Sequence, residues 1–157
     1  MRKKHEFSTS LAWDGANGVG TTSYTSYKRD YIISGKGKED IQGSSDPAFR
    51  GDATKYNPEE LLIASLSSCH MLWYLHLCSD EGVIVTGYED NATGTIVEEP
   101  IGGGHFTEVI LNPVVTVKDK SMEAKAMELH VKAHEKCFIA NSCNFPVTHN
   151  PSVRIGN

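Results

Sequence analysis

Four cysteines carry the reactive potential of this chain: Cys69, Cys78, Cys137 and Cys143. A thiolate is a potent nucleophile that can pass through sulfenic acid to a disulfide and back. Cys69 lies in an apolar stretch with Leu62, Leu66, Leu72, Trp73 and His76 expected on its side of a helix. A thiol buried among such groups titrates above its free value of about 8.5 and stays inert. A mid-helix position gains little from the helix dipole, which acts at the first turn. A reactive Cys69 therefore needs a cation from elsewhere. Arg50, in Asp46-Pro47-Ala48-Phe49-Arg50-Gly51-Asp52, is the candidate, and Glu59 is the carboxylate that could hold it. By residue type alone each has a plainer reading: packed thiols at Cys69 and Cys137, a solvated loop arginine, and an acid at the positive end of a helix.

The helix that positions Cys69 is well signalled. Asn57 is a good N-cap, Pro58 fits the first helical position, and Glu59 and Glu60 suit the first turn. It should run to about Asp80 and end at Gly82. Its apolar residues fall on most faces, which predicts a central, nearly surrounded helix. Glu59 and Cys69 are ten residues apart, or about 15 Å along the axis. One chain's Glu59 therefore cannot easily touch an arginine that also touches its own Cys69. If the three form one site, Glu59 and Arg50 come from a second subunit, which implies an interlocked two-fold homodimer.

A second helix is expected from Ser121 to at least Phe138, with Ala124, Met127, Val131, His134 and Phe138 as its apolar face. Cys137 lies near its end, where the chain can loosen to let a thiol move. Cys143 follows in a loop as an alternative partner. Cys78 is nine residues after Cys69, about 180° around the helix, and reads as packing. His130 and His134 are four apart with Cys137 one turn on, a spacing that can hold zinc. His134 also falls on the apolar stripe, and the expectation is no metal and no organic cofactor.

Before the first helix, Phe7 to Trp13 and Thr21 to Tyr31 read as strands, and Ser34 to Tyr56 as a long loop. After it, Val83 to Glu98 and His105 to Lys118 read as a hairpin turning through Glu99 to Gly104. A short last strand, Val147 to Ile155, is interrupted by Pro151. The order predicts an α+β fold with an antiparallel β-sheet packed on two helices, as a single domain over residues 1–157.

Composition narrows the function. The net charge is −5 and the pI about 5.8, and the cluster Arg2, Lys3, Lys4 is too short to favour nucleic acid. No apolar run follows it, so no export signal is expected. The apolar tract from Leu61 to Leu77 is broken by serines and histidines, which favours a core helix over a membrane span. A reducing, cytoplasmic compartment follows as the expectation, and there cysteines are reactive, metal-binding or plainly buried. Without an export signal, Arg50-Gly51-Asp52 reads as no adhesion motif.

The string Asn57-Pro58-Glu59-Glu60-Leu61, with Cys69 ten residues after Glu59, resembles the osmotically inducible protein C and organic hydroperoxide resistance (OsmC/Ohr) family. Ala133-His134-Glu135-Lys136-Cys137 resembles its second-cysteine segment. Ser44 to Asp52 and Ser68 to Leu75 look like an OsmC-like branch, and the order of elements fits over most of the chain. The resemblance implies an intertwined homodimer and a thiol peroxidase that reduces organic hydroperoxides. It implies Cys69 as peroxidatic residue, Cys137 as resolving residue, and Arg50 with Glu59 as the activating pair, with Arg29 as the fallback arginine. It points to a dithiol reductant such as a lipoylated protein. His70 departs from the aromatic residue common after the first cysteine, and Cys143 is an extra thiol. A non-catalytic dimer of the same fold that holds an apolar small molecule is the alternative.

Overall fold

The computed structural model describes residues 3–156, so Arg2 of the N-terminal basic cluster lies outside the described residues. The chain divides into two compact units, Met1–Leu61 and Leu62–Asn157.

In the first unit, β1 (Ser10–Trp13), β2 (Tyr31–Ser34) and β3 (Ile41–Gly43) form an antiparallel meander in that order. The Thr21 to Tyr31 run is mostly turn, and the strand begins only at Tyr31. Its backbone is diverted by a closed loop in which the Trp13 indole N–H donates to the Lys28 carbonyl at 2.9 Å. Gly15 sits against that carbonyl, where a Cβ would come within 2.0 Å of the oxygen. The expected long loop holds β3 and a short 3-10 turn, Pro47–Phe49.

The helix α1 (Pro58–Asp80) starts where the sequence placed it. Asn57 Oδ1 accepts the Glu60 N–H at 2.7 Å, and the Glu60 carboxylate accepts the Asn57 N–H at 3.0 Å, a reciprocal capping box. Gly82, with φ of 72°, takes the left-handed conformation just past the end.

In the second unit the two long strands expected after α1 each break into two. β4 (Val85–Asp90) and β5 (Thr93–Glu98) belong to different sheets, as do β6 (Gly104–Leu111) and β7 (Pro113–Val117). Asp90 fixes the first break: its carboxylate accepts the Asn112 N–H at 2.7 Å and the Ser67 hydroxyl. Pro113 marks the second. The helix α2 (Glu123–Lys136) follows a 3-10 turn capped by Asp119. Pro151 separates β8 (Val147–His149) from β9 (Ser152–Ile155). The sheets run β4-β7-β9 and β5-β6-β8. The β4–β7 and β5–β6 pairs are antiparallel, but β6–β8 and β7–β9 are parallel, so the expected antiparallel sheet is mixed. The last strands follow a helical crossover and return in the direction of their neighbours.

One core joins Tyr74, Cys78, Val115, Val117, Ala126, Leu129 and Ala133, and a second joins Leu66, Val109, Leu111 and Val147. Length and composition alone would let α1 cross a membrane, yet Leu66 and Tyr74 are sealed in these cores. The helix is not surrounded as expected. Only the row Leu66, His70, Tyr74, Cys78 is buried, while Leu72 is 63% exposed. The expected face of α2 is also wrong: Met127, Val131 and Phe138 face outward. The buried row is Ala126, Leu129, His130 and Ala133. Two alanines without exposed surface leave room for the Tyr74 ring, which donates its hydroxyl to the Ala126 carbonyl at 3.1 Å.

Candidate active site

Within the second unit the fold brings together two of the four sequence-selected site residues. Cys69 projects half-buried from the middle of α1, on a continuous helical backbone. Cys137 is the C-cap of α2, where the backbone turns extended with φ −68° and ψ 109°. Its side chain is 1% exposed. Its own N–H donates to the His134 carbonyl at 3.2 Å, and its sulfur accepts the Ala140 N–H at 3.4 Å. Burial first, and then the neighbouring Cys69 thiol, pushes the Cys137 thiol up to about 11. The two thiols are thus neighbours, and both are free. One is held on a rigid helix; the other sits at a helix end, protonated at neutral pH.

The remaining cysteines differ. Cys78 is sealed in the core beside Tyr74, and burial raises its thiol. Cys143 is half-buried, donates its S–H to the Ile139 carbonyl at 3.4 Å, and is likewise raised by burial.

The surface beside Cys69 is apolar. Trp73, one turn on, meets Phe138 edge to face at 5.8 Å between ring centroids, and the Lys136 ammonium lies 5.7 Å over the indole. Leu72, Trp73 and His76 line an open groove of about 310 Å³. Phe138 is 70% exposed.

Arg50 and Glu59 belong to the first unit. Arg50 is exposed and closes the 3-10 turn in the left-handed conformation with φ of 67°. The turn is held by Asp46, whose side chain accepts the Ala48 N–H at 2.7 Å and whose carbonyl accepts the Gly51 N–H at 3.0 Å. A left-handed non-glycine residue stores strain, a feature that concentrates at functional positions. Glu59 is half-buried, and its charge, after burial, raises the Tyr31 phenol. Neither residue forms a salt bridge among the described residues. Arg29 is occupied: its guanidinium lies between the rings of Tyr24 and Tyr27 at 4.4 and 4.1 Å and donates to both their carbonyls.

His130 and His134, with Cys137 a possible zinc set on spacing, do not converge on a common point, and no metal-holding group of three His, Cys, Asp or Glu occurs among the described residues. His130 instead turns to His70, with Nδ1 3.0 Å from the His70 Nε2. The His134 ring lies 5.2 Å from that of His149. This histidine cluster was not legible in the sequence, although His70 had stood out as a departure.

Residues 51–152 match the family model of OsmC-like proteins. The chain belongs to the OsmC-like family. An OsmC-like protein of unknown function from Vibrio cholerae is 29% identical, with 95% of this chain and 100% of that one aligned at a TM-score of 0.84. An organic hydroperoxide resistance protein from Legionella pneumophila is 18% identical, covering 96% and 98% at a TM-score of 0.66. Another, from Elizabethkingia anophelis, is also 18% identical, covering 98% and 100% at 0.66. These two share the fold. No curated protein sequence matches the chain.

Proposed function

We propose that this OsmC-like protein is a cytoplasmic thiol peroxidase that reduces organic hydroperoxides. The observation that carries the reading is the pair of neighbouring free thiols, Cys69 within α1 and Cys137 at the C-cap of α2. The Cys69 thiolate attacks the terminal peroxide oxygen. The O–O bond breaks, the alkoxide takes a proton to leave as alcohol, and Cys69 becomes a sulfenic acid. The Cys137 sulfur then bonds to the Cys69 sulfur as the S–O bond breaks, and the thiol proton leaves with hydroxide as water. An external dithiol, such as a lipoylated protein, returns both thiols by exchange. Burial keeps Cys137 protonated at neutral pH, which suits a resolver. The apolar groove at Leu72 and Trp73 favours bulky hydroperoxides over hydrogen peroxide.

Activation of Cys69 is assigned to Arg50, fixed by Glu59, both from a second subunit. Helix geometry supports this: ten residues of α1 are about 15 Å, too far for one chain's couple to serve its own thiol. The exposed Leu72 and the outer apolar stripe of α2 give such a partner a surface to cover.

The test is consumption of cumene or fatty-acid hydroperoxide. Cys69→Ser should fall to the rate without protein. Cys137→Ala should complete one turnover and stop at a sulfenic acid that dimedone traps. Wild-type rates in Cys69→Ser protein would sink the assignment. The same apolar groove also supports a non-catalytic reading as a carrier of an apolar small molecule. Fatty-acid binding by protein whose thiols ignore peroxide would favour it.

A further inference from the structure

His70 follows Cys69 on α1, and His130 precedes Cys137 by seven residues on α2. His130 and Cys137, the latter the C-cap of α2, are both sealed. Both imidazoles are buried, 1% and 0% exposed. Burial disfavours a polar ring unless its nitrogens are paired. These two pair with each other. His70 Nε2 and His130 Nδ1 are 3.0 Å apart and the ring planes differ by 6°, so one neutral ring donates N–H to the other in line. One turn along, Tyr74 donates to the Ala126 carbonyl, and its ring stacks on His130 at 3.9 Å between centroids. The pairs 70 with 130 and 74 with 126 step in opposite directions, an antiparallel polar ladder between the helices.

Stability alone does not select this ladder. Among the described residues the outer nitrogens, His70 Nδ1 and His130 Nε2, have no hydrogen-bond partner, and a buried polar atom without one costs desolvation. An apolar pair would avoid that cost but would let the helices slide and rotate, because apolar contact is non-directional. A hydrogen bond fixes distance and angle. Cys69 rides on α1 and Cys137 caps the end of α2, and a disulfide closes only when their Cα atoms are about 4.4–6.8 Å apart with suitable Cβ directions.

We propose that the His70–His130 hydrogen bond is a positioning device for disulfide closure, setting the register of α1 on α2 so that Cys137 stays in reach of Cys69. This rests on the two-cysteine cycle above, and makes His70 and His130 positioning residues.

The experiment is equilibration of the full-length protein with reduced and oxidised glutathione, each disulfide formed converting one oxidised glutathione to two reduced. Cys78→Ala and Cys143→Ala in the background leave only the two thiols of interest. Replacing both partners, His70→Leu with His130→Leu, removes the bond without orphaning a polar atom and should keep the fold by circular dichroism. It should lower the effective concentration of Cys137 at Cys69 at least tenfold. His130→Asn, which places an amide where Nδ1 was, should restore most of it. Wild-type effective concentration in the double leucine variant would overturn the proposal, as would an asparagine variant no better than it. No peroxide enters this measurement, so its outcome is separate from that of the peroxidase reading.

Discussion

The two long faces of α1 invert the usual arrangement. The sealed row, Leu66, His70, Tyr74 and Cys78, contains two polar rings that bond across to α2. The opposite row, Ala64, Ser68, Leu72 and His76, is exposed and carries a leucine 63% accessible. The same contrast appears on α2, where His130 is sealed while Val131 is 54% exposed, and just past its end Phe138 is 70% exposed. Polar groups inside serve direction, since a hydrogen bond fixes register where apolar contact does not. Apolar groups that gather on one outer face, as half-buried Trp73 and exposed Phe138 do, are the kind of surface a partner can cover. The inner face thus sets where the thiols sit, and the outer face is where a second subunit is proposed to bring a cation.

Two substitutions separate the faces most strongly. Leu66→Ala empties a fully buried site in the second core and should cost about 3 kcal/mol in urea unfolding. Leu72→Ala should cost under about 1 kcal/mol in any form that remains monomeric. Equal losses at the two positions in monomeric protein would erase the contrast. Leu72→Glu places a charge on the outer face instead. Light scattering should show the proposed dimer dissociating, and the proposed peroxide turnover should fall about 100-fold, the scale on which losing one charge-stabilising group acts. Full turnover by a monomer would remove the second subunit from the mechanism.

The sequence was most informative where the signal was local. Asn57, Pro58, Glu59 and Glu60 announce α1 because the cap is built within four residues. The break between β4 and β5 was not legible, because the groups that make it are Ser67 and Asn112, both more than twenty positions from Asp90. The buried face of α2 was misread because the helix has two apolar stripes. The bulkier one, Met127, Val131 and Phe138, scores as core, while the smaller one lets α1 approach closely. As candidates, Cys69 and Cys137 were singled out through a family resemblance, and in the structure the two thiols are neighbours. The His70–His130 bond links residues sixty apart, and each alone reads as a polar interruption of an apolar helix.

Acid should attack the inner face selectively. Burial, then the neighbouring histidines, lowers His70 to about 4 and His130 to about 3, and His149 is lowered too. His134 and His149 are the charged or titratable neighbours acting on them, and no carboxylate offsets the shift. The unfolded chain binds these protons at its ordinary value of about 6.5 while the folded chain does not. Stability is therefore complete above about pH 6.5 and falls with pH towards 4 and below. The double leucine variant at 70 and 130 should flatten that decline, measured as urea midpoints from pH 7 to 4. An unchanged slope would place the acid sensitivity elsewhere.

The smallest expected effect tests whether the ladder has one rung or two. Tyr74→Phe keeps the ring stacked on His130 and removes only the hydroxyl that meets the Ala126 carbonyl. Loss of one neutral hydrogen bond should cost about 1 kcal/mol. If register is set at His70 and His130, the glutathione equilibrium of Cys69 and Cys137 should be unchanged in this variant despite the lost stability. A drop in thiol pairing as large as that of the double leucine variant would mean that the helices are aligned by the whole polar row, and that no single pair within it has a separate role.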